Sequence, residues 1–580
     1  MPTIRCDVLI VGASLGGVAA AIRAGEMGAD VVVLEEGQWI GGQLTSQGVC
    51  TPDENRWIEI SGGTRAYQSL RQEIRDHYQN NYRLTSTAAA QEHLNIGNCW
   101  VSRISAEPRV IQQLLRDKIA SLSGVKLHLG AKVIEAEQRI NEIPHVVVRL
   151  QNGDELQITP RFILDATELG DFLPLAGIEH RIGAESYIET GEPDAPNVTR
   201  PDWIQPMTVP FGLELCPKGE NHTIPRPVNN DQLKTEQNYH IVDGAMRGMF
   251  GELGWWTYRR LIDASNFDDP AFPNDIAMIN TGSNDYKGGV IPTIDPISDA
   301  ETIARARDAS LGYIFWLQTE CPRIDEPGQF GYPEFRLKSD LFEDISTDGL
   351  APAPYIRESR RIKSRRTILE QDVVIKDGKG TIHQSGIRAA QMPDSCGIGH
   401  YWLDIHEGGT DEPNRFFETA PFQIPLGSLI PIRVKNVLAS CKNLGVTHLT
   451  NGCYRLHPIE WNIGEAAGAL AAFSVQNSVY PTDVLETPQL LRNFQRTLVD
   501  HGIPITWYGD LPPAHPSWKP AQLLGAWGIW PLGENIDFMP DAMLAEKDRF
   551  GELSQLPREI TRSEAINIMW EKYELGEITI

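Results

Sequence analysis

The chain has 580 residues, room for two or more structural units at the usual size of about 100 to 200 residues per domain. Its 41% hydrophobic and 22% charged content is that of a soluble globular protein and excludes a disordered chain. A formal net charge of −25 argues against a nucleic-acid or anionic-membrane surface, since both need positive charge, and leaves an acidic, solvated exterior.

The first predicted element is the β-branched strand "CDVLIVG", which ends at Gly12, and the Ala-rich stretch "GGVAAAIRAGEMGA" then reads as a helix. Between them Gly12, Ser14, Leu15, Gly16 and Gly17 form a glycine turn in which Ser14 stands where the middle glycine of G-x-G-x-x-G would be. Strand, turn and helix in this order aim free helix N–H groups at a pyrophosphate. Serine is small enough for the backbone to approach phosphate, and its hydroxyl can donate to one. A second strand, "ADVVVLEEG", reaches Glu35 and Glu36, and Glu35 lies 23 residues after Gly12, close to the spacing of an acid that accepts from ribose hydroxyls. A glycine turn alone would be equally ordinary loop geometry; with the strand, helix and spaced acid it reads as a βαβ unit for a dinucleotide with a free ribose 2′-OH.

Gly41, Gly42 and Gln43 follow at loop distance and suggest a second glycine-rich approach to the ligand. Tyr67, Leu70, Ile74 and Tyr78 recur at helical spacing and predict a core-facing stripe. A further helix, "PRVIQQLLRDKIASL", precedes strands around Val133, a turn at "QNGDEL", and a buried strand that ends at Asp165, Ala166 and Thr167, followed by Gly170 and Asp171. Far along the chain, "KNVLASCKNLGVTHLTNGCYRLHPIEWNIGEAAGALAAF" offers a buried strand, a loop and a glycine-led Ala-rich helix.

These pieces resemble the two-dinucleotide-binding-domain flavoproteins with a glutathione-reductase-type fold, the FAD-dependent oxidoreductase family. The resemblance covers about 1–175 and 390–510. It implies FAD as the cofactor, an adenine contact around Val133, and further cofactor contacts at Ala166, Thr167, Gly170 and Asp171. It also implies a closing helix that begins near Gly464 and points its N-terminus at the flavin, with Asn462 and Ile463 beside it. No second intact glycine fingerprint for NAD(P)H and no C-x-x-C pair is visible, which disfavours a pyridine-nucleotide disulfide reductase.

Candidate chemistry sits on both sides of that closing helix. Asp404 and His406 lie two apart, on one face if they are in a strand, and the family carries a similar Asp-x-His there. His448 is a candidate proton acceptor, and Arg455 a candidate holder of a substrate carboxylate or of reduced flavin. Both, with Trp461, are expected in the loop before the closing helix. Tyr355 and Arg357, in a "Y-x-R-E-x-R-R" segment like the family's, join His400 and Trp461 as candidate substrate contacts, although a run such as "RESRRIKSRR" is more often a solvated helix face or a salt-bridge network. Trp255 and Trp256 read as core. The eight cysteines are scattered, lack metal-type spacing and read as buried thiols in a reducing compartment; no third ligand accompanies Asp404 and His406, so no metal is expected.

The expected fold class is α/β: a Rossmann-type FAD-binding domain (1–175 and 401–510), interrupted by a large α+β substrate domain (176–400), with a mainly helical C-terminal appendage (511–580). In the appendage, Thr561 and Glu564 have capping-box spacing before a helix that also resembles a surface-layer-homology helix. The expected function is hydride removal from a C–N or C–O bond of a small organic molecule, with electrons passing to oxygen or another acceptor. The alternatives are flavin-dependent reduction of a C=C bond and, from another class, a non-catalytic flavin-fold binding or envelope-associated module. With no signal peptide and no apolar run long enough to span a membrane, a cytoplasmic location is expected, with no membrane or nucleic-acid partner and possible self-association.

Overall fold

A computed structural model describes residues 1–578 apart from 242–245, 294, 377–387, 409, 410 and 534. The first sheet is built from β1 (Thr3–Val11), β2 (Val31–Glu35), β3 (Val125–Leu129), β4 (Lys132–Arg139), β5 (Glu142–Arg149) and β6 (Glu155–Asp165), in the order β3-β2-β1-β6-β5-β4. β3, β2, β1 and β6 run parallel, and β6, β5 and β4 form an antiparallel meander. Strands β1 and β2 read as near-continuous apolar runs because their inner ends are covered on both faces.

β6 is long enough to serve two partners on one side. Its first half pairs with β5, and its second half pairs in parallel with β17 (Val437–Ala439), which returns to the sheet after residues 166–436. Helix α1 (Leu15–Glu26) packs over this sheet, and its N-cap Ser14 accepts from Gly17 N. The helix Arg65–Asn81 buries Tyr67, Leu70, Ile74 and Tyr78 as its periodicity predicts.

The intervening residues form a second core around the sheet β11-β8-β10-β9, made of β8 (Phe211–Leu215), β9 (Arg260–Ile262), β10 (Ile276–Ile279) and β11 (Phe335–Leu337). Trp255 and Trp256 are buried there, Trp256 stacking on Phe335 at 5.1 Å. Three short ladders complete the strands. They are β7 (His180–Arg181) with β12 (Arg361–Ile362), β13 (Ser395–Gly399) with β16 (Phe422–Pro425), and the hairpin β14 (Leu403–Ile405) with β15 (Arg415–Phe417). Toward the C-terminus, Thr561 caps the helix Arg562–Glu574 through a capping box with Glu564, and Ile566 and Met569 enter the main core.

The closing helix spans His457–Asn477, so it begins well before the expected start near Gly464. Leu456, in extended conformation, is its N-cap and Pro458 occupies its first turn, where a missing N–H costs nothing. Gly464 instead lies at the crossing with α1: a Cβ there would stand 2.0 Å from Gly16 O, and one at Gly468 would stand 2.3 Å from Ala20 O. His448 is not in a loop either, because Thr447 caps a separate helix, His448–Tyr454. All eight cysteines are buried and unpaired. Among the described residues no helix is long and apolar enough to cross a membrane.

Candidate active site

β1 ends at Val11 and the chain turns at Gly12, whose φ of +91° and approach to Ala166 O, 2.5 Å from where a Cβ would sit, admit only glycine. Glu35, at the end of β2, bends back over this turn: its Oε2 accepts from Ala13 N at 2.8 Å and its Oε1 from Gly37 N at 2.7 Å. The carboxylate therefore stands beside the N-terminus of α1. Glu36 is exposed and pairs with Lys132. Ala131 N bonds Glu35 O, which brings the start of β4, with buried Val133, alongside.

The second glycine segment packs directly on the first. Gly41 N donates to Ala13 O, and Gly42 lies 3.1 Å, measured from a Cβ position, from Ser14 Cα. Gln43 is fully buried and donates to Glu460 and to Arg455 O, while its own Oε1 has no partner among the described residues. Glu460 accepts from Gly16 N, and burial pushes its carboxyl up to about 7. Lys442 answers this acidity: its Nζ lies 2.6 Å from Glu168 and 2.9 Å from Ile356 O. Thr167 turns inward on Asp165 Oδ1, Gly170 packs on Arg360, and half-exposed Asp171 pairs with Arg360.

From Lys442 and Gln43 the polar path leads to Tyr355 and Arg455, which line a cavity of about 530 Å³. Its walls also carry Arg357, Asp404, His406, and the Arg259–Asp53 pair. The hairpin β14–β15 and the segment before the closing helix bring these groups together from distant parts of the chain. Arg455 bonds Tyr355 Oη at 2.9 Å and Asp404 at 3.2 Å; Arg357 bonds Asp285 at 2.8 Å. His406 bridges the two carboxylates, with Nδ1 2.7 Å from Asp285 and Nε2 3.3 Å from Asp404. Those carboxylates hold its pKa above the usual value against burial and Arg357, and the same cations draw Asp285 down to about 2. Two buried wall atoms, Arg455 Nε and Asn280 Oδ1, have no partner among the described residues.

The remaining sequence candidates lie elsewhere. His448 does not line the cavity. It is clamped between Glu358 and Glu412, and these raise its pKa to about 10, so it is an imidazolium locked in the interior and not a free proton acceptor. Trp461, on the second turn of the earlier-starting closing helix, packs edge-on against Tyr67 and bonds Glu465, away from the cavity walls. Asn462 braces β13 by accepting from Ile398 N, and Ile463 is core. His400 lines an adjoining cavity, where burial pushes its pKa down to about 4. The "RESRR" run is a network and not an exposed helix: Glu358 and Arg361 are buried and paired with each other.

Sequence reasoning missed Asp53, Arg259, Asp285, Lys442 and Glu460. Asp53, Arg259 and Asp285 sit in segments with no local pattern, whereas Lys442 and Glu460 lie within the closing stretch, whose strand and helix are legible but whose buried charges are not; only the chain's return to the first sheet brings them together.

The turn, helix and acid are those of a dinucleotide-binding flavoprotein. FAD fits them on three observations: the Glu35 acceptor beside the turn, the glycine-lined N-terminus of α1 for a pyrophosphate, and Gln43 Oε1, unpartnered among the described residues, between that turn and the cavity. The chain belongs to the FAD dependent oxidoreductase family, whose model matches residues 7–498. Over 64 residues it is 42% identical to 4-oxocyclohex-2-ene-1-carboxylate 5-dehydrogenase of Sinomonas cyclohexanicum, a match spanning only 11% of either chain. Among solved structures it is similar to p-nitrophenol 4-monooxygenase from Pseudomonas putida DLL-E4 (13% identity, 63% of this chain and 70% of that one, TM-score 0.28). It is also similar to L-proline dehydrogenase from P. horikoshii (12% identity, 31% and 24%, TM-score 0.18).

Proposed function

We propose that this FAD-dependent oxidoreductase removes a hydride from the C–N or C–O bond of a small organic acid held in the charged cavity. The observation that carries the reading is the cluster of cations there: Arg259, Arg357 and Arg455 converge on the cavity, each set against one carboxylate (Asp53, Asp285 and Asp404), and among the described residues Arg455 Nε still lacks an acceptor. A substrate carboxylate supplies the missing acceptor in a field of three guanidinium groups. Bound FAD supplies the two-electron acceptor.

The chain's own groups do the rest. Arg455, fixed by Tyr355 and Asp404, holds the acid end; Arg357, fixed by Asp285, adds to the field. His406, once it has lost its own proton, takes the one leaving the substrate's nitrogen or oxygen. The dehydrogenase sharing 64 residues acts, by its name, on a carboxylate, which accords with this reading. Arginine as proton donor to a C=C bond is disfavoured, because Tyr355 and Asp404 raise the pKa of Arg455 and keep its proton on. Oxygen or another acceptor would then reoxidise the cofactor.

The test is steady-state oxidation of short 2-amino and 2-hydroxy acids and of their methyl esters, with a dye as acceptor. The acids should be turned over and acetate should inhibit competitively; esters oxidised as well as acids would overturn the reading.

A further inference from the structure

A second cavity, of about 550 Å³, adjoins the first and shares Trp100, Val101, Tyr401 and Phe416 with it. Its character is different. Trp57, His400 and Trp402 add aromatic walls, with His400 edge-on to Trp57 at 5.1 Å. Trp402 and Phe416 stack at 4.8 Å with 12° between their planes, yet they are 39% and 61% exposed. Two large flat rings left in solvent at a cavity mouth are binding surface and not core.

The hairpin β14–β15 joins the two cavities. Trp402 and His406 flank β14 at two residues either side of Asp404, on the side opposite buried Leu403 and Ile405, and Asp404 lies directly opposite Phe416. One hairpin face therefore runs from the ring stack to the charged cluster, a distance of about 13 Å from Trp402 to His406 at strand rise. At the aromatic end Arg56 lies over the Trp57 ring at 4.1 Å, and burial pushes the pKa of His400 down to about 4, so that ring is neutral. His400 Nδ1 is buried on this wall without a partner among the described residues.

We propose that the second cavity is a subsite for an aromatic or other planar apolar group, so that the substrates are organic acids bearing such a group about 7 Å from the carboxylate, the two-residue rise from Trp402 to the Asp404 that fixes Arg455. Flat, parallel rings select a third ring by offset stacking, whereas an aliphatic chain gains only contact area. The acid end of this assignment rests on the reading of the charged cavity above; the aromatic end rests on the hairpin alone.

Calorimetric titration of the FAD-loaded protein with acetate, 2-naphthylacetate and the neutral 2-naphthylmethanol separates the two. 2-Naphthylacetate should bind at least tenfold tighter than acetate. Trp402→Ala should lose most of that advantage with acetate binding unchanged, and Trp402→Phe should keep most of it. Equal affinity for the two acids, or an advantage that survives Trp402→Ala in full, overturns the subsite. If 2-naphthylmethanol binds in a Trp402-dependent way while acetate does not bind, the aromatic subsite stands and the acid reading of the first cavity falls.

Discussion

Arg455 and His406 carry different parts of the chemistry, and each leaves its own signature. Arg455 is braced from two sides, so Arg455→Ala should raise KM for acids by a hundredfold or so, at about 2–5 kcal/mol for a lost buried partner, with a smaller effect on kcat. Arg455→Lys should restore little, because a point charge cannot reproduce the fork between Tyr355 and Asp404. His406 must be unprotonated to accept a proton, and its carboxylate neighbours raise its pKa. The rate, kcat/KM, should therefore climb with pH through a midpoint above about 6.5, and His406→Gln should remove that limb. At the cofactor end, Glu35→Gln exchanges a charged acceptor for a neutral one, which at about 1.5–3 kcal/mol should weaken FAD binding tenfold to a hundredfold in a titration of the stripped protein.

At the scale of elements, what was legible had local periodicity. β1, the Gly12 turn, α1 and Glu35 are set by contacts within one βαβ unit, so their residues announce them. The closing helix was legible as a helix but not in its start: the Ala-rich run from Gly464 is its packed half, while the exposed-looking "HPIEWN" is its buried first turns. Gly464 reads as a helix opener by its sequence and is a spacer by its packing. Gly464→Ala would drive a Cβ into Gly16 backbone and should cost about 1–3 kcal/mol, seen as a lower denaturation midpoint together with weaker FAD retention. The cavity was less legible, since Asp53, Arg259 and Asp285 belong to it only through tertiary placement.

For the whole molecule, the buried charges that tie the intervening residues to the closing segments also set its pH response. His448 sits between Glu358 and Glu412, and Glu358 is shared with Arg361. With its pKa raised to about 10 in the folded chain, its stabilisation is complete below about 6.5 and is lost as pH rises toward 10. Thermal stability should fall across that window, and His448→Ala should flatten the fall while costing about 3–5 kcal/mol at neutral pH, because buried Glu358 keeps only Arg361 and buried Glu412 only the distant Arg415.

The central claim joins the two halves of the molecule: the dinucleotide turn delivers FAD to a cavity that holds an organic acid by Arg455. The direct measurement is the visible flavin absorption of the FAD-loaded protein during anaerobic titration with short 2-amino and 2-hydroxy acids, for the wild type and for Arg455→Ala. The account predicts bleaching by an acid in the wild type and none at the same concentration in the variant. Bleaching that is indifferent to Arg455, or that neutral alcohols and amines produce as readily as acids, would contradict it.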